Sequence, residues 1–473
     1  MQGVLRTRLL RFAGALCATV TASVSAQQAA FPLGPLATRA EAEVGSPHAT
    51  VLEVEASGPG AVGGLRVGDR IVAASGEAFP PHDHDVNSGG HGPMQALGAA
   101  LGAARTGDGK LVLTVERDDE RIELTVDLAT APAWTGRFDA TCVRTTRFLD
   151  GIAADLRGTQ RDDGSWQSRT GDGANRYVSA LAGLALLGRG DASDRDRLER
   201  LARYLAHEDG KAGVSDDFMT PAGLSNWWLC ATGIYLAEFT LAFGSDEFLP
   251  TIRHLVDTMA ARQDPDGKYG HGISTGYSGR GFNVINTHAH LLWALAARVD
   301  RPVAPTAWER SFAQIRQSIG NGGDQDGGVR YWTSQTGYWD ASARTGQMAL
   351  ALDLTGKAPE LRDRMAGYLL RNTNRSREAH AMSSIGLIFS TAALARVDRE
   401  AWREHMDAWR WYFELCERPD GSAAYLGGKR NNGGDGYLRF EHAANAMVGM
   451  MLASGRNTLH LFGNDRRGWL ADD

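Results

Sequence analysis

One loop recurs along this chain and limits what it can fold into. Gln160-Arg161-Asp162-Asp163-Gly164-Ser165-Trp166 has a copy at Gln263-Asp264-Pro265-Asp266-Gly267-Lys268-Tyr269. Looser copies follow at Glu208-Asp209-Gly210, Asp324-Gln325-Asp326-Gly327-Gly328 and Glu417-Arg418-Pro419-Asp420-Gly421-Ser422. Asp suits a turn because its carboxylate binds nearby backbone N–H groups, and Gly reaches positive φ without steric cost. The turn aspartates Asp163, Asp209, Asp266, Asp326 and Asp420 are 46, 57, 60 and 94 residues apart, and the last interval is two periods. The skipped copy falls at Asn372-Thr373-Asn374-Arg375-Ser376, which has polar turn residues and no Gly. A period of roughly fifty residues marks a repeat architecture.

Between the loops, charged amphipathic segments alternate with segments rich in Ala and Leu. Thr141 to Thr159 answers Ala174 to Leu187, Ser193 to Ala206 answers Asn226 to Phe243, and Asp246 to Arg262 answers Val284 to Val299. Thr306 to Ile319 answers Ser342 to Leu354, Glu360 to Arg371 answers Ala379 to Ala395, and Glu400 to Cys416 answers Phe440 to Ala453. This predicts twelve helices in six hairpins, the charged member outside and the apolar member buried on most sides. No polar cap appears at either end, so closure into a ring is expected. All outer-to-inner loops then emerge at one end and gather their aromatic and polar residues at one mouth.

The region before residue 139 reads differently. His48 to Val54 alternates as a half-buried strand, Met94 to Ala104 is a short Ala-rich helix, and Lys110 to Arg117 with Arg121 to Leu128 forms a hairpin. Residues 129–138 read as a linker. Arg6, Arg8 and Arg11, the apolar run Phe12 to Val24 and the small residues up to Ala26 form the pattern of a secretory signal cleaved after residue 26. The expected location is therefore periplasmic or extracellular, with no membrane span after cleavage. The net charge of −6, with 43% hydrophobic and 22% charged residues, describes a globular chain and offers no surface for nucleic acid. Cys142, Cys230 and Cys416 have neither metal-type nor redox spacing, and no cofactor is expected. His82-Asp83-His84-Asp85 and His91 lie between Pro80-Pro81 and Gly89-Gly90 and read as a solvated loop rather than a metal site.

The run Gly64-Leu65-Arg66-Val67-Gly68-Asp69-Arg70-Ile71-Val72 makes residues 31–128 resemble a PDZ domain. The resemblance implies that Leu33, Gly34, Pro35 and Leu36 receive a peptide or protein C-terminus. Residues 139–473 are similar, through the Gln-x-x-Asp-Gly-Ser-Trp loop, to the repeats of terpene cyclases and protein prenyltransferases. This implies an (α/α)6 toroid of six helical hairpins. The combination, with Tyr269-Gly270-His271-Gly272 and Trp411-Tyr412-Phe413, resembles a group of exported bacterial proteins, and that resemblance supplies architecture and no reaction.

Three functions fit. The first is binding or scaffolding in the cell envelope, with a peptide on the small module and a polysaccharide or other extended ligand at the toroid mouth. The second is a carbohydrate-active enzyme, a polysaccharide lyase or a glycoside hydrolase, using His271, His380, Tyr277, Arg280, Asp326 and Asp340. His288 also belongs to the lyase set; with His290, two residues on along a helix, it makes a poor metal pair. The third is a cyclase, disfavoured because Asp324-Gln325-Asp326-Gly327 lacks the last carboxylate of a D-x-D-D acid motif.

Overall fold

The computed structural model describes residues 31–43, 45–81, 92–167, 172–209, 224–273, 281–333, 341–378, 383–424 and 442–471. Two parts follow one another in the chain: a small antiparallel sheet and a helical remainder.

The sheet runs in the order β1 (Phe31–Pro32), β2 (Thr38–Glu41), β3 (Ala49–Val54), β4 (Arg70–Ala74), β6 (Lys110–Arg117) and β7 (Glu120–Asp127), with β5 (Glu77–Ala78) also on β4. Every pairing is antiparallel. Alternation on β6 buries Leu111, Leu113 and Val115 beneath α2 (Pro93–Thr106), while Val112 and Thr114 stay half-exposed. Asp118 and Asp119, both at positive φ, form the two-residue turn between β6 and β7. Asp69 of the Gly-Asp motif is buried and accepts two bonds from Arg117, at 2.7 and 2.8 Å, and one from the Arg66 N–H at 2.8 Å. The motif thus pins β6 to the turn before β4. A short helix, α1, spans Pro59–Val62.

Six inner helices form the wall of a ring: α4 (Asp172–Arg189), α6 (Ser225–Phe243), α8 (Asn283–Arg298), α10 (Ser342–Thr355), α12 (Ser383–Val397) and α15 (Ala443–Ala453). Each packs on the next, and α15 packs back on α4, so the ring is closed. Burial explains their composition: all residues of α6 are buried, including Trp227, Trp228 and Glu238. Outside lie α3 (Val143–Thr159), α5 (Arg195–Asp209), α7 (Leu249–Ala261), α9 (Pro305–Arg316), α11 (Pro359–Arg371), α13 (Arg399–Ala408) and α14 (Arg410–Cys416). The helix expected over Glu400–Cys416 is broken at Trp409, whose ψ of 4° leaves the helical range and whose ring is buried.

The recurring turns are built alike. Asp163 Oδ1 accepts from Ser165 N at 2.9 Å and Ser165 Oγ at 2.6 Å, and Asp420 binds Ser422 with the same two distances. The glycines Gly164, Gly267, Gly327 and Gly421 all have φ between 84 and 90°. The following aromatic residue reaches back to its own outer helix: Trp166 Nε1 donates to Leu156 O at 3.1 Å and Tyr269 Oη to Met259 O at 2.6 Å.

Beyond α15 the chain crosses the C-terminal ends of the inner helices. Thr458 donates to Gly188 O of α4, Gly468 N to Leu241 O of α6, and Arg298 of α8 pairs with Asp465 at 2.9 Å. Glu238, on the inner wall, accepts the N–H groups of His460 and Leu461 at 3.0 and 2.8 Å. The tail therefore covers one end of the ring; the inner-helix N-termini, where the mouth is expected, lie at the other. No helix of the described residues is long and apolar enough to cross a membrane.

Candidate functional site

The inner-helix N-termini are positioned by a repeated asparagine. Asn226 Nδ2 donates to Gly270 O and Gly272 O at 3.0 and 2.6 Å, and Asn226 N donates to His271 O. Asn283 repeats this one hairpin later, binding Arg330 O at 2.9 Å and Tyr331 O through its N–H. The helices α6 and α8 thus each hold the loop that enters the next inner helix.

On this frame, Trp227 stacks on His271 at 5.8 Å and 16°, and its Nε1 donates to His271 Nδ1 at 2.8 Å. His271 in turn stacks on Phe282 at 4.4 Å, and Phe282 leads to Tyr331 and Trp332. His271 and Trp332 are half-exposed.

Beneath this wall five of the six inner helices contribute to one cluster. Tyr177 of α4, Trp227 of α6, His288 of α8, Gln347 of α10 and Phe389 of α12 meet around the His288 ring. His288 Nδ1 lies 2.8 Å from Val284 O and must donate there, because a carbonyl only accepts. That fixes Nε2 as an acceptor, with the Tyr177 hydroxyl 3.2 Å away. The Gln347 amide nitrogen is 3.0 Å from the same Nε2, and Thr287 Oγ1 donates to Gln347 Oε1 at 2.6 Å. Burial lowers the His288 pKa to about 4, so the imidazole is neutral near pH 7. The arrangement is a phenol poised on a neutral base, surrounded by aromatic faces.

Of the residues expected from sequence, His271 joins this wall. Tyr277, Arg280, Asp340 and His380, with the histidines at 82, 84 and 91, lie outside the described residues. Asp326 does not face the ring axis: it caps Gly322 N at 3.2 Å and pairs with Arg364 of the outer helix α11 at 2.6 Å. The cause is its turn, whose Gly327 sits against the backbone of α11. Leu33, Gly34, Pro35 and Leu36 are fully buried, and a Cβ on Gly34 would lie 2.2 Å from Glu414 O of α14's last turn. The surface expected to receive a peptide end is thus taken up by the chain itself.

Among the described residues no group of three or more His, Cys, Asp or Glu is placed to hold a metal, and Cys142, Cys230 and Cys416 are not joined in disulfides. His442 binds Asp155 of α3 at 3.0 Å. Tyr177 and Gln347 were not selected by sequence reasoning. The available signal was weak: each lies within two turns of an inner-helix start, beside other polar residues (Asn175 and Arg176; Arg344 and Thr345) that look the same in sequence.

Solved structures similar to this chain include the type II terpene cyclase MstE from Scytonema without ligand, at 14% identity, covering 66% of this chain and 98% of that one with a TM-score of 0.41. A variant of that cyclase in complex with geranylgeranyl dihydroxybenzoate covers 65% of this chain and 97% of that one, at 14% identity and a TM-score of 0.39. Among curated proteins none matches. The model of one family spans residues 166–463, nearly the whole ring, and by that match the chain belongs to the family described as the domain of unknown function DUF6288.

Proposed function

We propose that the protein is an exported carbohydrate-active enzyme of the lyase type, acting on a uronate-containing polysaccharide at the ring mouth. The observation that carries this reading is the Tyr177 hydroxyl, 3.2 Å from the neutral His288 Nε2, where five inner helices converge. A buried titratable pair is costly unless its partners satisfy it, and such pairs concentrate at reactive sites. The aromatic wall of Trp227, His271, Phe282 and Trp332 suits the apolar faces of sugar rings.

Alternative chemistries find less support. A glycoside hydrolase needs two carboxylates flanking the bond, and the side chains that meet the His288 ring are Tyr177, Trp227, Gln347 and Phe389. A protonating cyclase needs a carboxylic acid facing an apolar cavity. Glu238 is on the inner wall, but its oxygens accept backbone N–H groups of the tail.

In the elimination, the proton on the carbon next to the carboxylate moves to the Tyr177 oxygen as the Tyr177 proton moves to His288 Nε2. The bond to the leaving oxygen breaks, a carbon–carbon double bond forms, and one proton returns to the leaving oxygen, so protons balance.

Uronate and neutral polysaccharides are to be compared by the ultraviolet absorbance of the unsaturated product. Tyr177→Phe should lower kcat by about 10²–10⁴-fold, the usual worth of a positioned acid–base group, with KM little changed. Absence of turnover on every uronate polymer, or full activity in Tyr177→Phe, rejects the lyase.

A further inference from the structure

The ring closes without a covalent bond where the first hairpin meets the last, and the small module sits on that seam. Its helix α2 presents Gly98, Gly102 and Arg105, spaced to share one helical face, to α14. A Cβ on Gly98 would lie 2.4 Å from Trp411 O, and one on Gly102 3.2 Å from Glu414 Cγ, so only glycine lets the two helices approach this closely. Gly34, at φ 48°, makes the same close approach from the turn after β1.

Where these surfaces meet, four charges are enclosed with 1 to 4% exposure: Arg105, Arg144, Glu414 and Glu417. Arg105 Nη1 donates to Glu414 at 3.0 Å and Glu417 at 2.7 Å. Arg144, in the first turn of α3, donates to Glu414 at 2.9 Å and also to Glu417. Trp134 Nε1, from the connecting segment, adds a bond to Glu414 Oε1 at 2.8 Å and lies beneath the Arg144 guanidinium. The cluster thus draws one cation from the module, one from the first outer helix and both anions from the end of the last. A few residues on, Gly151 of α3 packs against Gly421 of the last turn, where a Cβ would lie 2.3 Å from Gly421 O.

We propose that the small module is a clamp on the ring seam, with α14 of the same chain as its resident partner. The two buried carboxylates need both arginines, because one guanidinium leaves the second charge uncompensated in a dry site. Module and ring are therefore one cooperative unit, and Arg105 is a positioning residue for the first and last hairpins.

Two measurements on the full chain test this. First, a specific protease site is inserted between Pro132 and Ala133 and cut under native conditions. The module should stay with the ring on gel filtration, and unfolding should remain one transition; separation of the two pieces overturns the clamp. Second, Arg105→Met is followed by amide hydrogen exchange. Exchange should quicken on the order of tenfold in α3 and α15, the seam helices, with α8 and α10 unchanged. Equal acceleration throughout the ring, or none at the seam, overturns it. If Arg105→Met does not fold, the cut wild-type chain still decides.

Discussion

Replacing Gly267 by Ala tests whether the recurring turns act as wedges between outer helices. Two costs are readable from the structure. The backbone at Gly267 has φ 85°, which for an L side chain costs about 1–2 kcal/mol. The new Cβ would also lie 2.4 Å from Arg310 O, 2.6 Å from Arg310 C and 2.9 Å from Ser311 N. All three atoms are backbone of α9, so no side chain can swing away and the helix itself must move. Overpacking of this kind adds about 1–3 kcal/mol. The expected loss for Gly267→Ala is the two together, about 2–5 kcal/mol. Gly421 supplies the control: its φ is 84°, but its nearest neighbour to a Cβ is Gly151 Cα at 3.4 Å, an ordinary contact. Gly421→Ala should lose only the conformational part, about 1–2 kcal/mol. Urea unfolding followed by circular dichroism, with slopes compared to confirm an unchanged denatured state, gives both values. Gly164→Ala and Gly327→Ala belong with Gly267, since their Cβ atoms would meet backbone of Arg200 and Arg364 at 2.6 and 2.3 Å. Equal losses at Gly267 and Gly421 would refute the wedge and leave the glycines as turn formers only.

Other expectations concern buried titratable groups. Burial raises the Glu238 pKa from 4.5 to about 7. The contribution of this group to stability is therefore full below 4.5 and falls as pH rises through 7, by about 3 kcal/mol in all. Glu238→Gln should remove that decline, and unfolding midpoints across this range measure it. His290 behaves oppositely. Neither ring nitrogen has a hydrogen-bond partner among the described residues, the ring is caged by Trp293, Trp308 and Phe312, and burial lowers its pKa from 6.5 to about 3. Its contribution is present above 6.5 and is lost as pH falls toward 3. His290→Leu should stabilise by about 1 kcal/mol at neutral pH and by more in acid, seen as a flatter acid limb of the midpoint curve. A steeper limb in His290→Leu would contradict this assignment.

The ring was legible because its signal is local and repeated. Asp163-Gly164 and Asp420-Gly421 declare turns, and the Ala/Leu segments between them declare helices with too little polar surface to face water. Trp166 and Tyr269 could be read as packing residues because each follows its turn at the same spacing. The cluster at the mouth was not legible in that way. Tyr177, His288 and Gln347 are 111 and 59 residues apart in sequence, and what joins them is the closure of the ring combined with the helical phase of three separate helices. Asp326 misled for the converse reason: a carboxylate beside Gly327 looks the same whether it faces a cavity or caps a turn. The seam was hidden too, since Arg105, Arg144, Glu414 and Glu417 lie in four segments that look charged and solvated until the ends of the ring are brought together.

The two ends of the ring differ in what satisfies their buried polar groups, and that difference locates the exchangeable one. Glu238 is held by backbone N–H groups of the tail, and the tail is fixed in turn by Arg396, which pairs with Asp353 at 2.6 Å and Asp465 at 3.1 Å. A ligand could reach Glu238 from that end only by displacing a folded segment, at a cost of about 1–2 kcal/mol per residue re-ordered. Beneath the aromatic wall, Tyr177, His288, Gln347 and Thr287 are buried and are joined to one another side chain to side chain, with His288 and Thr287 also bonded to backbone carbonyls of α8. Sugar hydroxyls could replace the side-chain bonds once the aromatic wall moves aside, since each donates and accepts as the residues do. An anionic ligand would go further, because a carboxylate near His288 raises the pKa that burial has lowered and lets the ring hold the Tyr177 proton. That transfer stays within the site, so binding of a uronate oligosaccharide near neutral pH should exchange no proton with the buffer: the calorimetric enthalpy should not depend on the buffer, and a tyrosinate ultraviolet band should appear that the neutral analogue does not produce. A buffer-dependent enthalpy would show that His288 draws its proton from solvent and can no longer accept that of Tyr177, and would separate His288 from the proposed chemistry.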